Sequence, residues 1–69
     1  MYDMPDEIDV RADGSLRIIT LNRPDDLNAV NDPLHAGLAR LWPRLSADRD
    51  ARAAVITGAG RAFSAGGDF

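Results

Sequence analysis

The chain has 69 residues, a length that allows one small domain whose single hydrophobic core is worth only about 3–5 kcal/mol. It has no cysteine and a single histidine, His35, which excludes a disulfide scaffold and a zinc site built from cysteine and histidine, so we expect no metal. All eight basic residues are arginine and eleven residues are acidic, and this net charge of −3 argues against nucleic-acid binding.

The balance of 45% hydrophobic and 28% charged residues is typical of a packed globular protein. Because so short a chain packs poorly alone, we expect a piece of a larger domain, or one that depends on neighbours. Five of the eleven acids lie in the first thirteen residues, where a signal peptide would need a positive start. The apolar runs are too short to span a bilayer. We therefore predict a cytoplasmic protein without membrane contact.

The first two elements in chain order form a predicted hairpin. Residues 8–11 alternate between apolar and charged side chains, the period of a half-buried strand. Asp13-Gly14 is suited to a tight turn, and the apolar, β-branched run over 16–21 predicts the second strand.

A loop and a helix follow. Pro24 ends the strand pattern and predicts a loop over 22–26. Asp32-Pro33 predicts a helix start, with Asp32 as the capping residue and Pro33 at the first helical position. The apolar stripe of this helix consists of Leu34, Leu38, Leu41, Trp42 and Leu45.

The end of the helix and the third strand are set by proline and glycine. Pro43 removes a helical hydrogen bond, so we expect a kink or an early end there and a polar connection over 46–50. The short apolar run over 53–57, closed by Gly58, predicts a strand buried on both faces. The order strand, helix, strand implies a parallel crossover.

Four of the six glycines fall in the last twelve residues: Gly58, Gly60, Gly66 and Gly67. They suit either a tight strand-to-helix turn or a loop whose backbone N–H groups collect negative charge. A phosphate-binding P-loop is excluded because the chain has no lysine, and Phe63 occupies the last glycine slot of a dinucleotide fingerprint. Ser64 lacks the preceding glycine of a nucleophile elbow, which favours a structural role for it.

Three sequence blocks together resemble the N-terminal signature of the enoyl-CoA hydratase/isomerase (crotonase) superfamily. They are Leu-Asn-Arg-Pro at 21–24, Leu-Asn-Ala-Val at 27–30, and the run at 54–68 that ends in Ala-Gly-Gly-Asp. The resemblance implies an α/β fold of repeated β-β-α units wound into a spiral, of which this chain holds roughly the first ββαβ unit. Residues 1–69 would then be the N-terminal part of a single, incomplete crotonase-like domain, assembled at full length as a homotrimer or a dimer of trimers.

The same resemblance implies a site for an acyl-CoA substrate. The backbone N–H of Gly67 would be one of two oxyanion-hole donors to the thioester carbonyl. The residues expected to line the substrate pocket are Asn28, Ala29, Ala65, Gly66 and Asp68. Coenzyme A enters as part of the thioester, with no tightly bound cofactor, and the second donor and the acid/base carboxylates would come from later segments.

The function implied is that of an enoyl-CoA hydratase when full length, with the 69-residue chain alone inactive. An enoyl-CoA isomerase or another reaction of the family is the alternative within the same class. A different class is also open, a non-catalytic module that docks on a partner through its apolar helix. Arg23 and Arg61 are candidates for the coenzyme A phosphates, against the alternative that both are simply solvated.

Overall fold

The computed structural model describes residues 2–64 and 66 and follows the predicted strand-strand-helix-strand order. Its elements are strand β1 (Ile8–Asp13), strand β2 (Leu16–Leu21), a short 3₁₀ helix (Pro24–Asp26), helix α1 (Asp32–Ala47) and strand β3 (Ala53–Gly58). The three strands form one sheet in the order β1-β2-β3. The predicted α/β ββαβ unit is therefore confirmed.

Both predicted strand pairings are present. Strands β1 and β2 are antiparallel, and Asp13 lies opposite Leu16, so the turn is Gly14-Ser15, one residue later than predicted. Gly14 has a φ of 59°, the left-handed conformation that a tight hairpin requires. Strands β2 and β3 are parallel, which confirms the crossover through α1.

The start of α1 differs from the prediction by one residue. Asn31, not Asp32, is the N-cap: its backbone is extended and its side-chain Oδ1 accepts the N–H of Leu34 at 3.0 Å. Asp32 is the first helical residue and Pro33 the second. A capping side chain accepts the N–H two or three residues later, and Asn31 does so at the third residue, Leu34.

The predicted early end at Pro43 is wrong, because α1 continues to Ala47. Pro43 has no N–H to donate to the carbonyl of Ala39. Both residues are exposed, so water can hydrogen-bond to that carbonyl instead. The opposite face of the helix continues its apolar stripe past the proline with half-buried Leu45. The connection to β3 therefore starts after Ala47 rather than at residue 46.

The core lies between α1 and the helix-facing side of β1 and β2. Its buried members are Ile8, Ile19, Leu21, Leu34 and Leu41, with Leu38 and Leu45 packed against them. Trp42, predicted within the same stripe, is 45% exposed and lies on the rim. Most of the stripe is thus used in the chain's own core, and Trp42 is its exposed member, so the docking-module alternative has less apolar helix surface than the sequence predicted.

Strand β3 is not buried on both faces as predicted. It is the edge strand of the sheet as described, and its Val55 and Ile56 are 48% and 37% exposed. The reason is positional, since β3 has one neighbouring strand in the sheet and α1 packs toward β1. An apolar run indicates a strand that is stable when buried, but whether it is buried depends on which other elements cover its two faces.

A charged cluster closes the edge of the sheet where β2 and β3 begin. We call it the amino-edge cluster; it comprises Tyr2, Arg17 and Asp48. Arg17 Nε and the Tyr2 hydroxyl both donate to Asp48 Oδ2, at 2.9 and 2.7 Å, and Arg17 also donates to the Gly14 carbonyl at 2.8 Å. Arg17 and Asp48 are buried, and their ion pair joins β2 to the C-cap of α1. The Tyr2 hydroxyl joins the N-terminal segment to the same carboxylate.

Hydrogen bonds to the carboxylate set the titration of this cluster. Donation from Arg17, then from Tyr2, lowers the pKa of Asp48 from 3.8 to about 2. The pKa of Tyr2 is raised, first by burial of its hydroxyl and then by Asp48, and the pKa of Arg17 is raised by its bond to Asp48. The cluster is therefore ionic at neutral pH.

Within residues 2–64 and 66, no helix has both the length and the apolar character needed to cross a membrane.

Candidate functional site

Two loops leave the sheet at the opposite edge, where β2 and β3 end. We call residues 22–31, and residues 59–64 together with Gly66, the first and second carboxyl-edge loops. The Ala59 N–H donates to the Leu21 carbonyl at 2.8 Å, so the loops start side by side. In parallel α/β sheets the crevice beyond the carboxyl ends of the strands is the usual place for a ligand.

The first loop holds an unusual backbone turn. Leu27 and Asn28 have φ values of 52° and 55°, two consecutive left-handed residues that are not glycine. The turn is tied by the N–H of Asn28, which donates to the Arg23 carbonyl at 2.8 Å, and by the N–H of Ala29, which donates to the Asp26 carbonyl at 3.0 Å. Strain of this kind persists only where surrounding contacts hold it.

The side chain of Asn28 supplies those contacts. The residue is fully buried, and its Oδ1 accepts the Arg23 N–H at 2.7 Å. Its Nδ2 donates to the carbonyls of Ala59 and Ala62, both at 2.8 Å. One carboxamide therefore joins the two carboxyl-edge loops across more than thirty positions of sequence.

Gly58 is required for this approach. A Cβ at residue 58 would lie 2.7 Å from the Asn28 Nδ2 and would clash still more closely with the carbonyls of Ala62 and Phe63. Real Cβ atoms essentially never come so close to such atoms, so the end of β3 must be glycine if the amide is to reach its acceptors.

The joining continues toward the end of the second loop. The Ser64 hydroxyl donates to the Asn28 carbonyl at 2.8 Å and accepts the N–H of Gly66 at 3.1 Å. The Gly66 carbonyl in turn accepts the N–H of Val30 at 2.7 Å. Ser64 is thus engaged in holding the loop, in keeping with the structural role predicted for it.

The predicted site residues are brought together as far as the structure describes them. Asn28, Ala29 and Gly66 lie within one network at the carboxyl edge, whereas Gly67, Ala65 and Asp68 lie outside the described residues. Ala29 is half-buried and Gly66 is exposed, while Asn28 uses its side chain inside the protein. The predicted contacts of these residues with substrate stay predictions.

The two arginine candidates differ in their surroundings. The Arg23 guanidinium donates to the Ala29 carbonyl and pairs with Asp26 Oδ2 at 2.9 Å, so it supports the first carboxyl-edge loop. Arg61 is exposed at the turn of the second loop. Of the two, Arg61 is therefore the better placed to meet a phosphate group from solvent.

Among the described residues, no cluster of three or more histidine or acidic side chains could hold a metal ion. At this site, sequence reasoning missed the amide bridge from Asn28 to the second loop. Two features of the sequence point to it. Asn28 lies in a stretch without helical or strand periodicity and is a residue type that tolerates a left-handed backbone. Gly58 ends the apolar strand β3.

Comparison with known proteins places this geometry in context. A family model described as enoyl-CoA hydratase/isomerase matches residues 16–69. The crystal structure of an enoyl-CoA hydratase/isomerase from Mycobacterium paratuberculosis is 84% identical and superposes with a TM-score of 0.93, over 97% of this chain and 27% of that one.

Two curated relatives carry different names. A mevalonyl-coenzyme A hydratase from Beauveria bassiana is 53% identical over 75% of this chain and 19% of its own length. A 1,2-epoxyphenylacetyl-CoA isomerase from Escherichia coli is 48% identical over 74% of this chain and 20% of its own length. The chain thus spans about a fifth of the length of these two relatives.

Proposed function

Because the chain belongs to the enoyl-CoA hydratase/isomerase family, we propose that the complete protein is an enzyme acting on a coenzyme A thioester, with hydration of an enoyl-CoA as its reaction. Residues 1–69 would form the N-terminal part of one crotonase-like domain. Coenzyme A would enter with the substrate rather than as a bound cofactor. Assembly as a trimer or a dimer of trimers and a cytoplasmic location stay predictions.

The chemistry assigned to this part of the chain is stabilisation of negative charge. Adding water to an enoyl thioester, or moving its double bond, passes through an enolate-like oxygen on the thioester carbonyl. The backbone N–H of Gly67 would donate to that oxygen, and a second donor and the acid/base carboxylates would come from the rest of the protein. A fixed donor of this kind typically contributes about 10²–10³ in rate.

The observation that supports this role is the convergence of two separate sequence blocks at one edge of the sheet. The Val30 N–H donates to the Gly66 carbonyl, so the block at 27–30 lies directly against the residue that precedes Gly67. Gly66 has a φ of 95°, a backbone conformation that glycine adopts without strain and that residues with a side chain rarely adopt. Gly66, the residue before the proposed donor, is thus exposed backbone without a side chain.

An isomerase reaction is the second candidate within the same chemistry. It is favoured by the crystal structure of a monofunctional enoyl CoA isomerase from M. smegmatis, which is 32% identical and superposes with a TM-score of 0.84 over 90% of this chain and 30% of that one. Both reactions need the same polarised carbonyl and differ in the acid and base groups that lie elsewhere. Assays of the complete protein with enoyl-CoA substrates separate them, since hydration consumes the conjugated double bond and isomerisation moves it.

The experiment that tests the donor compares Gly67→Pro with Gly67→Ala in the complete protein. Proline lacks the N–H, and we expect it to lower turnover of an enoyl-CoA about 10²–10³-fold. Alanine keeps the N–H and should retain far more activity. Unchanged turnover in Gly67→Pro, or equal losses in both variants, would contradict the assignment.

A further inference from the structure

We propose that Asn28 is a positioning residue, whose buried carboxamide holds the second carboxyl-edge loop in the place that thioester chemistry needs and does not itself touch the thioester. The proposal rests on the proposed function for its catalytic consequence. Its structural part, that one amide fixes the path of residues 59–64, is independent of substrate.

The first argument is that every polar atom of the side chain has a partner within the protein. Oδ1 accepts the Arg23 N–H, and the two hydrogens of Nδ2 are matched by the carbonyls of Ala59 and Ala62. The side chain is fully buried and so has no group to offer to a ligand. A carboxamide supplies two donors and one acceptor from one planar group, whereas a carboxylate supplies no donor and a hydroxyl supplies one.

The second argument is that the backbone and the side chain select the same residue type. The φ of 55° at residue 28 suits asparagine better than most residues that have a side chain. Gly58 provides the space for the amide, since a Cβ there would lie 2.7 Å from Nδ2. A left-handed backbone and a buried amide each lower the stability of the fold unless surrounding contacts compensate for them. Their occurrence together opposite a glycine therefore indicates that the path of the loop is fixed at this point.

The third argument is the short chain of bonds from Asn28 to Gly66. The Asn28 carbonyl accepts the Ser64 hydroxyl, which itself accepts the Gly66 N–H, and the nearby Val30 N–H donates to the Gly66 carbonyl. The carboxamide fixes the position of the Asn28 backbone, so a shift of that backbone carbonyl is passed within two hydrogen bonds to the residue before the proposed donor. Misplacing a reacting group by about 1 Å can cost about 10² in rate.

The test uses two variants of the complete protein that remove the amide differently. Asn28→Gly keeps the left-handed turn and deletes the side chain, and Asn28→Asp keeps the size and deletes both donors. The matched control is Asn22→Asp, because the exposed Asn22 amide also donates to a backbone carbonyl, that of Asp6 at 3.2 Å, which belongs to the N-terminal segment and not to the second loop.

Three readouts are measured: kcat with a short enoyl-CoA, the dissociation constant of the matching saturated acyl-CoA, and hydrogen exchange of backbone amides. We expect both Asn28 variants to lower kcat about 10–10²-fold with a much smaller change in the dissociation constant. The Val30 N–H and the loop amides should lose protection while those of α1 keep theirs. Asn22→Asp should match the wild type in all three.

Several results would overturn the proposal. Unchanged loop protection, or unchanged kcat in both Asn28 variants of an active protein, shows that the amide does not position the loop. Loss of protection across α1 together with equal losses of kcat and binding shows a general stabilising role instead. If the wild type neither binds nor converts the thioesters, the proposed function fails, and exchange alone decides: lost protection at Val30 supports positioning by Asn28, and retained protection overturns it.

Discussion

The two edges of the sheet are held by buried polar groups of different chemistry. At the amino edge, Arg17 and Asp48 form an ion pair that Tyr2 completes. At the carboxyl edge, the neutral amide of Asn28 binds backbone carbonyls. Both sites are complete in hydrogen-bonding terms, since no buried side-chain nitrogen or oxygen of the described residues lacks a partner.

The difference teaches what each edge is built to do. The amino-edge cluster joins side chains of three segments, so it closes the fold and depends on charge. The amide of Asn28 instead donates hydrogen bonds to main-chain carbonyls, so it fixes the path of the loop independently of the side chains in that loop. The second arrangement suits the donor role proposed for Gly67, because a backbone donor needs a fixed main chain rather than a particular side chain.

The largest effect in this comparison is expected from Gly58→Ala in the complete protein. The added Cβ meets the Asn28 amide and two loop carbonyls, and overpacking of this kind costs about 1–3 kcal/mol of stability. The second carboxyl-edge loop should move with it. We expect a lower denaturation midpoint, faster exchange of the loop amides and a loss of thioester turnover.

Gly14→Ala is the matched control for that variant. Its Cβ would meet nothing within 4 Å, so the cost comes only from the left-handed backbone, about 1–2 kcal/mol. It should lower the midpoint but leave loop exchange and turnover unchanged. If Gly58→Ala leaves the loop amides as protected as Gly14→Ala does, the carboxyl edge does not depend on the close approach of Asn28.

A smaller effect is that the contribution of the amino-edge cluster to stability depends on pH, whereas that of the Asn28 amide does not. The pKa of Asp48 is lowered from 3.8 to about 2 in the folded protein, so the unfolded chain binds this proton more tightly. The contribution of Asp48 to stability is therefore fully present above pH 3.8 and is lost as the pH falls toward about 2. We expect Asp48→Asn to lower stability at neutral pH, because Arg17 loses its buried partner, and to make the further loss in acid shallower.

Urea denaturation of the complete protein over this pH range measures the prediction. Asn28→Gly is the comparison, because an amide does not titrate, and its acid dependence should follow that of the wild type. If the stability of Asp48→Asn fell with acid as steeply as that of the wild type, ionised Asp48 would not stabilise the folded protein, and the prediction would be wrong.

Local features of this fold were predictable from sequence, and long-range ones were not. The hairpin follows from alternation over 8–11 and a glycine turn, and the helix from its apolar stripe, because these signals act between near neighbours. The passage of α1 through Pro43 depends on which side of the helix meets solvent. The cap is a local contact, but Asn31 and Asp32 are both good capping residues, so residue type alone does not choose between them. The exposure of β3 depends on what surrounds the sheet, which no periodicity records.

The candidate site divides in the same way. The ordered motif blocks identified the family, and the family match confirms that identification. The blocks did not reveal that Asn28 bonds to carbonyls more than thirty positions away, because a backbone acceptor leaves no trace in residue type. The amino-edge cluster was missed for a related reason, since Arg17 and Asp48 become partners only after α1 has crossed the sheet.

The infrared spectrum of a bound thioester tests the central claim most directly. An enoyl-CoA analogue that cannot react is bound to the complete protein, and the stretching frequency of its thioester carbonyl is compared between the wild type and Gly67→Pro. If the carboxyl edge supplies an oxyanion donor, the frequency in the wild type falls below that in water and returns toward it in Gly67→Pro. An identical frequency in both proteins would contradict the assignment of this edge to thioester chemistry.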